Sequence, residues 1–485
     1  MARLPVFAHR RARAFSSLRQ HIPGYGWRRI ELRLHEPAGV VATDKQQEKP
    51  QLMEWMQQSL LPRGYPMSVT DNYLTYVQWT SLGLLTGRIQ SVLATQATLF
   101  AVGLGAGAIP MAAAVQWILK DGLGHACAIL YSTAINTRFD ADAKRYRFQS
   151  TVAFTVADLI AIGMPLYPGH FMLLASLSSA VSSMAGVAQL AARAQVQASF
   201  ALHGNLADCA RAGQTQSKLM SLVGTAIGAG LSWVIGPSPM LVGTCVAPLA
   251  ATSLFCMYTS SKIVVLRSLN VQRAERVFQG VLLQLDSQES ASGALPEAAC
   301  VLTVPTPKDV AAEETFVAGK HPALFRRGLL LQPFIGQVPM GISGSISALG
   351  AEGRVELAAA LSLLQPQGAA SAWSASWQAG TAYALAVHAQ GPGHGAGPVL
   401  LWHRAGATGR AKLQAMWHAC LLRHCLAPGS EARLEDLHAR AHGLWPGVLA
   451  AMEAAGWAVD RVFLDGMGGC LEPDAPHAGE DPKNH

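Results

Sequence analysis

Leu219-Met220-Ser221-Leu222-Val223-Gly224-Thr225-Ala226-Ile227-Gly228-Ala229-Gly230-Leu231-Ser232-Trp233-Val234-Ile235 leads directly into Gly236-Pro237-Ser238-Pro239, and Met240 to Ser261 continues in the same apolar vein. All 43 positions between Lys218 and Lys262 lack Asp, Glu, Lys and Arg. A helix crossing hydrocarbon needs about 20 mainly apolar residues, and one charge at its centre costs about 2.5–3.5 kcal/mol. The stretch therefore reads as a hairpin of two spans, 219–235 and 240–261, with the prolines confining each helix to its own side of the turn.

Two further stretches share this character. No charge occurs in the 34 positions between Asp158 and Arg193, and this middle region divides at Tyr167-Pro168-Gly169-His170 into spans at 148–166 and 171–192. The 31 positions of Ile89 to Leu119 are also uncharged, but Gly103, Gly105, Gly107 and Pro110 interrupt them. That run fits one tilted helix or two half-length helices in a re-entrant hairpin, the second tolerated only where protein covers the backbone.

Lys and Arg fall between these pairs and not in their tight turns. Lys120, Arg138, Lys144, Arg145 and Arg147 follow the first run; Arg193, Arg211 and Lys218 follow the second; Lys262, Arg267, Arg273 and Arg276 follow the third. One face of the bilayer thus collects the basic connectors, which makes it the cytosolic, stromal or matrix face. The expected class is mainly α: a multi-pass helical membrane core with a small C-terminal α+β domain. A soluble all-α core of small-residue helices is the competing reading.

Composition agrees. The chain has 485 residues, 50% apolar and only 14% charged, against about 25% charged in an ordinary soluble protein. A disordered or acidic solvating chain is excluded. Net charge is +7, too little at this length to imply nucleic acid, and the eight Cys have no framework spacing. Seven Arg and no acid precede Glu31, giving a basic arm or an organellar transit peptide over residues 1–54. The family-like core is placed at 55–285, a Gly-rich linker at 286–380 and the α+β unit at 381–475. In that unit Tyr383 to His388, Val399 to His403 and Trp457 to Leu464 are strand-like, and 411–426 and 431–455 are helical.

No nucleophile elbow, P-loop or metalloprotease motif occurs, so no catalytic residue is assigned and no cofactor is expected. Gly103-Leu104-Gly105-Ala106-Gly107-Ala108 has its third Gly one place too early for a dinucleotide fingerprint. Close helix packing explains it better, as it does Gly224-x-x-x-Gly228. His418, Cys420, His424 and Cys425, with His438 and His442 on the next helix, could approach a zinc set but read as buried thiols and surface histidines, so no metal is expected.

Asp158 is the one acid inside an uncharged span, and an intramembrane carboxylate is a functional candidate by default, for a proton or cation; an interfacial position is the alternative. Two polar clusters flank the spans: Lys120 and Asp121, leading to Asp140, Asp142 and Lys144, and then Asn205 and Asp208 with Arg211. They could hold an anionic ligand or lipid headgroup, or they could be ion pairs that tie loops together.

These clusters carry a family pattern. Leu61-Pro62-Arg63-Gly64-Tyr65-Pro66-Met67-Ser68-Val69 opens it, followed by Tyr73, Tyr76 and Trp79, Thr95-Gln96-Ala97, and Trp117-Ile118-Leu119-Lys120-Asp121-Gly122. Phe139-Asp140-x-Asp142-x-Lys144, Ser199-Phe200, Asn205-x-x-Asp208, Gly213-x-x-Gln216, Leu269-Asn270-x-x-Arg273, Val304-Pro305-Thr306-Pro307 and Gly456-Trp457 complete it. The chain resembles the root UV-B sensitive family in these motifs and their order. Met257-Tyr258 stands where that pattern has Asn-Tyr, and Ala161-Ile162-Gly163 stands where it has an acid before Pro165. The resemblance implies a membrane-associated protein of undefined chemistry, linked in plants to development, UV-B response, auxin transport and vitamin B6 balance; with no catalytic motif found, a non-enzymatic membrane component is expected. It also implies plastid placement for some members and complexes between family members. Expected partners are thus a lipid bilayer and a protein of the same family, in a plastid or mitochondrial membrane. The alternative is a small-molecule transporter with Asp158, Lys120 and Asp121 lining a polar path.

Overall fold

A computed structural model describes residues 59–102, 110–135, 138–202, 204–236, 238–292, 302–317, 399–403, 406–425 and 434–464, and strands at 17–22, 26–35, 39–44, 330–331, 340–342, 373–376 and 383–388. The chain forms two compact units, Met1–Thr70 with Ala201–Lys218, and Asp71–Phe200 with Leu219–His485.

The first unit holds strands β1 (Ser17–Ile22), β2 (Gly26–His35) and β3 (Gly39–Asp44), an antiparallel meander in the order β1-β2-β3. It occupies part of the segment read from sequence as a basic arm. Ile30, Leu32 and Leu34 alternate there with Glu31, Arg33 and His35, a strand period that the arginine count obscured.

In the second unit six long helices dominate: α1 (Tyr73–Ala101), α2 (Pro110–Ile135), α3 (Ala143–Gly163), α4 (Phe171–Phe200), α5 (Leu206–Ile235, whose first turns belong to the first unit) and α6 (Pro239–Ile263). Four segments are long and apolar enough to cross a membrane: Ala143–Leu166, Pro168–Phe200, Leu206–Ile235 and Pro239–Ile263. They contain the spans expected from 148, 171, 219 and 240 onward, the first three extended by one or more turns that carry polar residues and the fourth ending two residues later at Ile263. The uncharged run at 89–119 divides between α1 and α2, and residues 103–109, with the Gly103 to Ala108 stretch, lie outside the described residues.

Bonds at the helix ends set the directions. Asn72 Nδ2 donates to Ile263 O at 2.6 Å, joining the start of α1 to the end of α6. Gln96 Nε2 donates to Gly236 O at 2.9 Å, joining the far end of α1 to that of α5. Helix α1 therefore starts where α6 finishes, and its far end lies beside the end of α5.

Small residues bring these helices together. A Cβ on Gly124 would lie 2.5 Å from Ser179 Oγ, one on Gly224 would lie 2.9 Å from Arg88 Cβ, and one on Gly228 would lie 2.8 Å from Val92 Cβ. The Gly224-x-x-x-Gly228 pair is thus where α5 meets α1. Gly228→Leu is expected to lower stability by about 1–3 kcal/mol through overpacking. Thermal unfolding of the purified chain checks this, and an unchanged melting temperature would mean that the α1–α5 contact is dispensable.

Beyond α6, strand β4 (Ser268–Asn270) leads into α7 (Val271–Ser292) and the short α8 (Pro307–Glu313). A five-stranded sheet follows, in the order β5 (Leu330–Leu331), β6 (Met340–Ile342), β9 (Val399–His403), β8 (Tyr383–His388) and β7 (Trp373–Ser376). Three of these strands lie where the sequence reads as a Gly-rich linker. Helices α9 (Gly409–Cys425) and α10 (Leu434–Ala454) and strand β10 (Ala458–Phe463) complete the unit, β10 pairing in parallel with β4. One apolar core contains Leu269, Val277, Phe278, Leu401, Trp417, Val448 and Val462. The last helix of the family-like core, α7, is therefore also the centre of the C-terminal layer.

Candidate functional site

The polar motifs converge at the basic end of the helices in the second unit. Lys144, at the start of α3, places Nζ 2.7 Å from Glu314 Oε2, and Arg273, in the first turn of α7, places Nε 2.9 Å from Glu314 Oε1. All three side chains are buried, at 1%, 2% and 4% exposure for Lys144, Arg273 and Glu314. Burial pushes the Glu314 carboxyl up, but Arg273 and then Lys144 pull it further down, to about 2. It stays ionised because two cations face it.

Asn270 locks the neighbouring strand. Its Nδ2 donates to Asp142 Oδ1 at 2.8 Å and to Ala141 O at 3.1 Å, while its Oδ1 accepts from the Arg273 backbone N–H at 2.9 Å. Asp140 accepts from Gln195 Nε2 of α4 at 2.7 Å. Lys262 Nζ, at the end of α6, donates to the carbonyls of Ala312 and Glu314, each at 3.1 Å. The Phe139-Asp140-x-Asp142-x-Lys144 and Leu269-Asn270-x-x-Arg273 motifs are thus two halves of one polar knot, closed by Glu314.

The segment carrying Glu314 is itself anchored. Thr306 and Asp309 form a capping box at α8. Trp457 Nε1 donates to Pro305 O at 2.9 Å, which ties the Gly456-Trp457 motif to Val304-Pro305-Thr306-Pro307. Gly456 sits there at φ +89°, a left-handed value that a β-carbon would strain, so the turn after α10 favours Gly.

A separate cluster lies within the first unit. Asp208 accepts from the Arg63 backbone N–H and, at 2.9 Å, from Arg211 Nε. Arg211 also donates to the carbonyls of Ser59 and Leu61 at 3.0 and 3.1 Å, and Gln216 Nε2 to that of Leu60 at 2.6 Å. Asn205 Nδ2 donates to Ser68 O at 3.0 Å. The residues Asn205, Asp208 and Gln216 accordingly clasp the segment from Leu60 to Ser68.

The remaining candidates stand apart from both clusters. Lys120 pairs with its neighbour Asp121 at 2.6 Å and lies over the Trp117 ring at 4.4 Å, midway along α2. Asp158, half-buried, accepts from the buried Gln90 Nε2 at 2.8 Å, between α3 and α1.

In the C-terminal layer His418 is buried rather than at the surface. Its Nδ1 meets Tyr383 Oη at 3.1 Å and its Nε2 meets His438 Nδ1, while His424 pairs with Asp286 at 2.9 Å. Burial, then the charges of His438 and His442, hold His418 at about 3, and burial pushes Tyr383 and Cys420 up to about 12. Among the described residues no group of three His, Cys, Asp or Glu is placed to hold a metal ion.

Comparison with known proteins matches this framework. Residues 46–284 fit the family described as the vitamin B6 photo-protection and homoeostasis domain. The match takes in both halves of the polar knot and the clasp, leaving only Glu314 and the two late motifs outside it. Through this domain the chain belongs to the root UVB sensitive family. Among its relatives in that family, Protein root UVB sensitive 3 of Arabidopsis thaliana is 29% identical over 245 residues, 49% of this chain and 56% of the relative. Protein root UVB sensitive 2, chloroplastic, of the same plant is 31% identical, covering 50% of this chain and 55% of the relative. RUS family member 1 of Dictyostelium discoideum is 31% identical over 222 residues, 45% of this chain and 42% of the relative. The chain thus spans about half the length of the curated relatives it matches. No solved structure matches it.

Glu314 is a residue of this polar knot that has no signal in the sequence reading. It falls in a segment read as linker, next to Glu313, which is 71% exposed and pairs with Arg276. Nothing local separates the two acids; only the fold brings one of them to Lys144 and Arg273.

Proposed function

We propose that this root UVB sensitive protein is a multi-pass membrane component that acts in vitamin B6 homeostasis or the UV-B response without catalysing a reaction itself, through a protein partner of the same family. The carrying observation is the character of the four long helices: Leu222, Trp233, Val234, Leu173 and Leu190 are all more than 65% exposed on segments that contain almost no charge. Water disfavours such an exposed apolar surface, whereas lipid solvates it. The polar knot, with Lys144, Lys262 and Arg273, lies in the second unit at the opposite end from Gly236, the arrangement the positive-inside rule expects of a cytosolic, stromal or matrix face. A plastid membrane is our first choice of location, since one relative is named chloroplastic.

Alkaline carbonate extraction tests the membrane part. The full chain is expected to stay with the membrane pellet, and its release into the supernatant would overturn the spans. Co-purification on a tagged full-length chain tests the partner part, with a homo- or hetero-complex of family members expected and a bare monomer counting against it. A small-molecule transporter is the second reading. The Gln90–Asp158 bond between two helices favours it, and vesicle uptake that is lost in Asp158→Asn would support it.

A further inference from the structure

Helix α3 carries buried polar residues along one face. Lys144, Arg147, Thr151, Thr155 and Asp158 follow one another at spacings of three or four, so they line a single stripe running from the basic end into the bundle. The first four are less than 9% exposed. Helix α1 answers with Tyr76 and Thr80, both bonded to the Arg147 guanidinium, and with Gln90 at the inner end, opposite Asp158. Asp158 lies 15 residues into α3, about 22 Å along the axis from Ala143. One turn further, Leu93, Ile162, Phe171 and Val246 belong to an apolar cluster that seals the stripe on the far side.

The chemistry of the inner end is incomplete as an ionised pair. Gln90 is 1% exposed; its Nε2 donates to Asp158 Oδ2 at 2.8 Å, but its Oε1 has no hydrogen-bond partner among the described residues. A buried acceptor left unmade costs about 1–3 kcal/mol. A carboxylic acid beside a primary amide removes that cost by closing a two-bond ring, in which the amide N–H donates to one carboxyl oxygen and the acid O–H donates to the amide oxygen. A metal ion does not fit: hard cations take six or more oxygens, and this pair supplies few. The charged group facing Asp158 is Arg88 of α1, whose Nε is bonded to Thr225 Oγ1 of α5 at 3.0 Å. Helix α4 from Phe171 to Ala192 and helix α6 from Pro239 to Ser261 contain no Asp, Glu, Lys, Arg or His.

From this geometry we infer that Asp158 and Gln90 form a proton-binding site inside the helical bundle, reached from the basic end along the Thr151–Thr155 face of α3 and closed on the other side by the apolar cluster. Binding places the proton on the Asp158 carboxyl, where it completes the acid–amide ring; release leaves the carboxylate with the single Gln90 bond and the field of Arg88. The inference concerns the site alone and stands whether the protein acts through partners or moves a solute.

Infrared titration of the full chain in detergent or nanodiscs tests it. Across the pH range in which the chain stays folded, a protonated-carboxyl stretch is expected, absent in Asp158→Asn and restored in Asp158→Glu. Gln90→Leu is expected to shift that band to higher frequency, because the acid loses its amide partner, and it remains informative if Asp158→Asn fails to fold. Thr155→Val should slow hydrogen–deuterium exchange of the band. A spectrum unchanged by Asp158→Asn, or a band position unchanged by Gln90→Leu, would overturn the site. Exchange unaffected by Thr155→Val would overturn the route.

Discussion

Glu314→Gln is expected to destabilise the second unit by about 3–5 kcal/mol, the usual cost of removing one member of a buried ionic cluster. The amide keeps the shape of the carboxylate but leaves Lys144 and Arg273, both at or below 2% side-chain exposure, without their shared counter-charge. Replacing the neighbour Glu313 by Gln should change little, since that side chain is 71% exposed and exposed pairs contribute about 0–1 kcal/mol. Thermal or denaturant unfolding of both variants measures the contrast. Equal melting temperatures would show that the knot contributes nothing to the fold. Because Lys262 also binds the backbone carbonyls of Ala312 and Glu314, part of the segment should stay docked in Glu314→Gln, and a graded loss of stability is expected.

Acid should weaken the C-terminal layer first and the knot second. His418 is held at about 3 against an ordinary 6.5, and His438, in contact with it, is also lowered by burial and by His442. A histidine whose pKa falls on folding stabilises the native state above its unfolded value and loses that contribution as pH drops. One pKa unit corresponds to about 1.4 kcal/mol, so at pH 4.5 His418 by itself has cost about 3 kcal/mol. Glu314, held at about 2 against an ordinary 4.5, contributes stability that is present above 4.5 and fades only below it. Unfolding measured between pH 7 and pH 3 should therefore show a first decline below pH 6.5, reduced in His418→Gln to what His438 contributes, and a second below pH 4.5, removed in Glu314→Gln. A flat profile down to pH 4.5 would contradict the buried-histidine cluster.

Much of this architecture is visible in the residues. Uncharged runs of 34 and 43 positions mark the long helices because hydropathy acts locally: each residue is judged by its own transfer cost, and twenty in a row suffice. Pro168 and Pro239 mark helix starts for the same reason, since a missing N–H is a property of one residue. The strand pattern of 26–35 was equally local, but its arginines invited a reading by charge rather than by alternation.

Pairings at long range are different. The motif residues Asp142, Lys144, Asn270 and Arg273 could be singled out by type and order, yet whether they face a ligand, a lipid headgroup or one another has no local signature. The fold supplies the answer by bringing Glu314 across 170 residues to Lys144 and across 41 to Arg273, and by pairing Lys120 with Asp121 and Trp117 on another helix. Asp158 shows the same division. Its place in an uncharged span is written in the sequence, whereas its bond to Gln90, and the orphaned amide oxygen beside it, exist only once α1 and α3 pack. Composition determines which solvent each helix prefers; only tertiary packing decides which polar group meets which, because a side-chain hydrogen bond depends on distances that chain order does not encode.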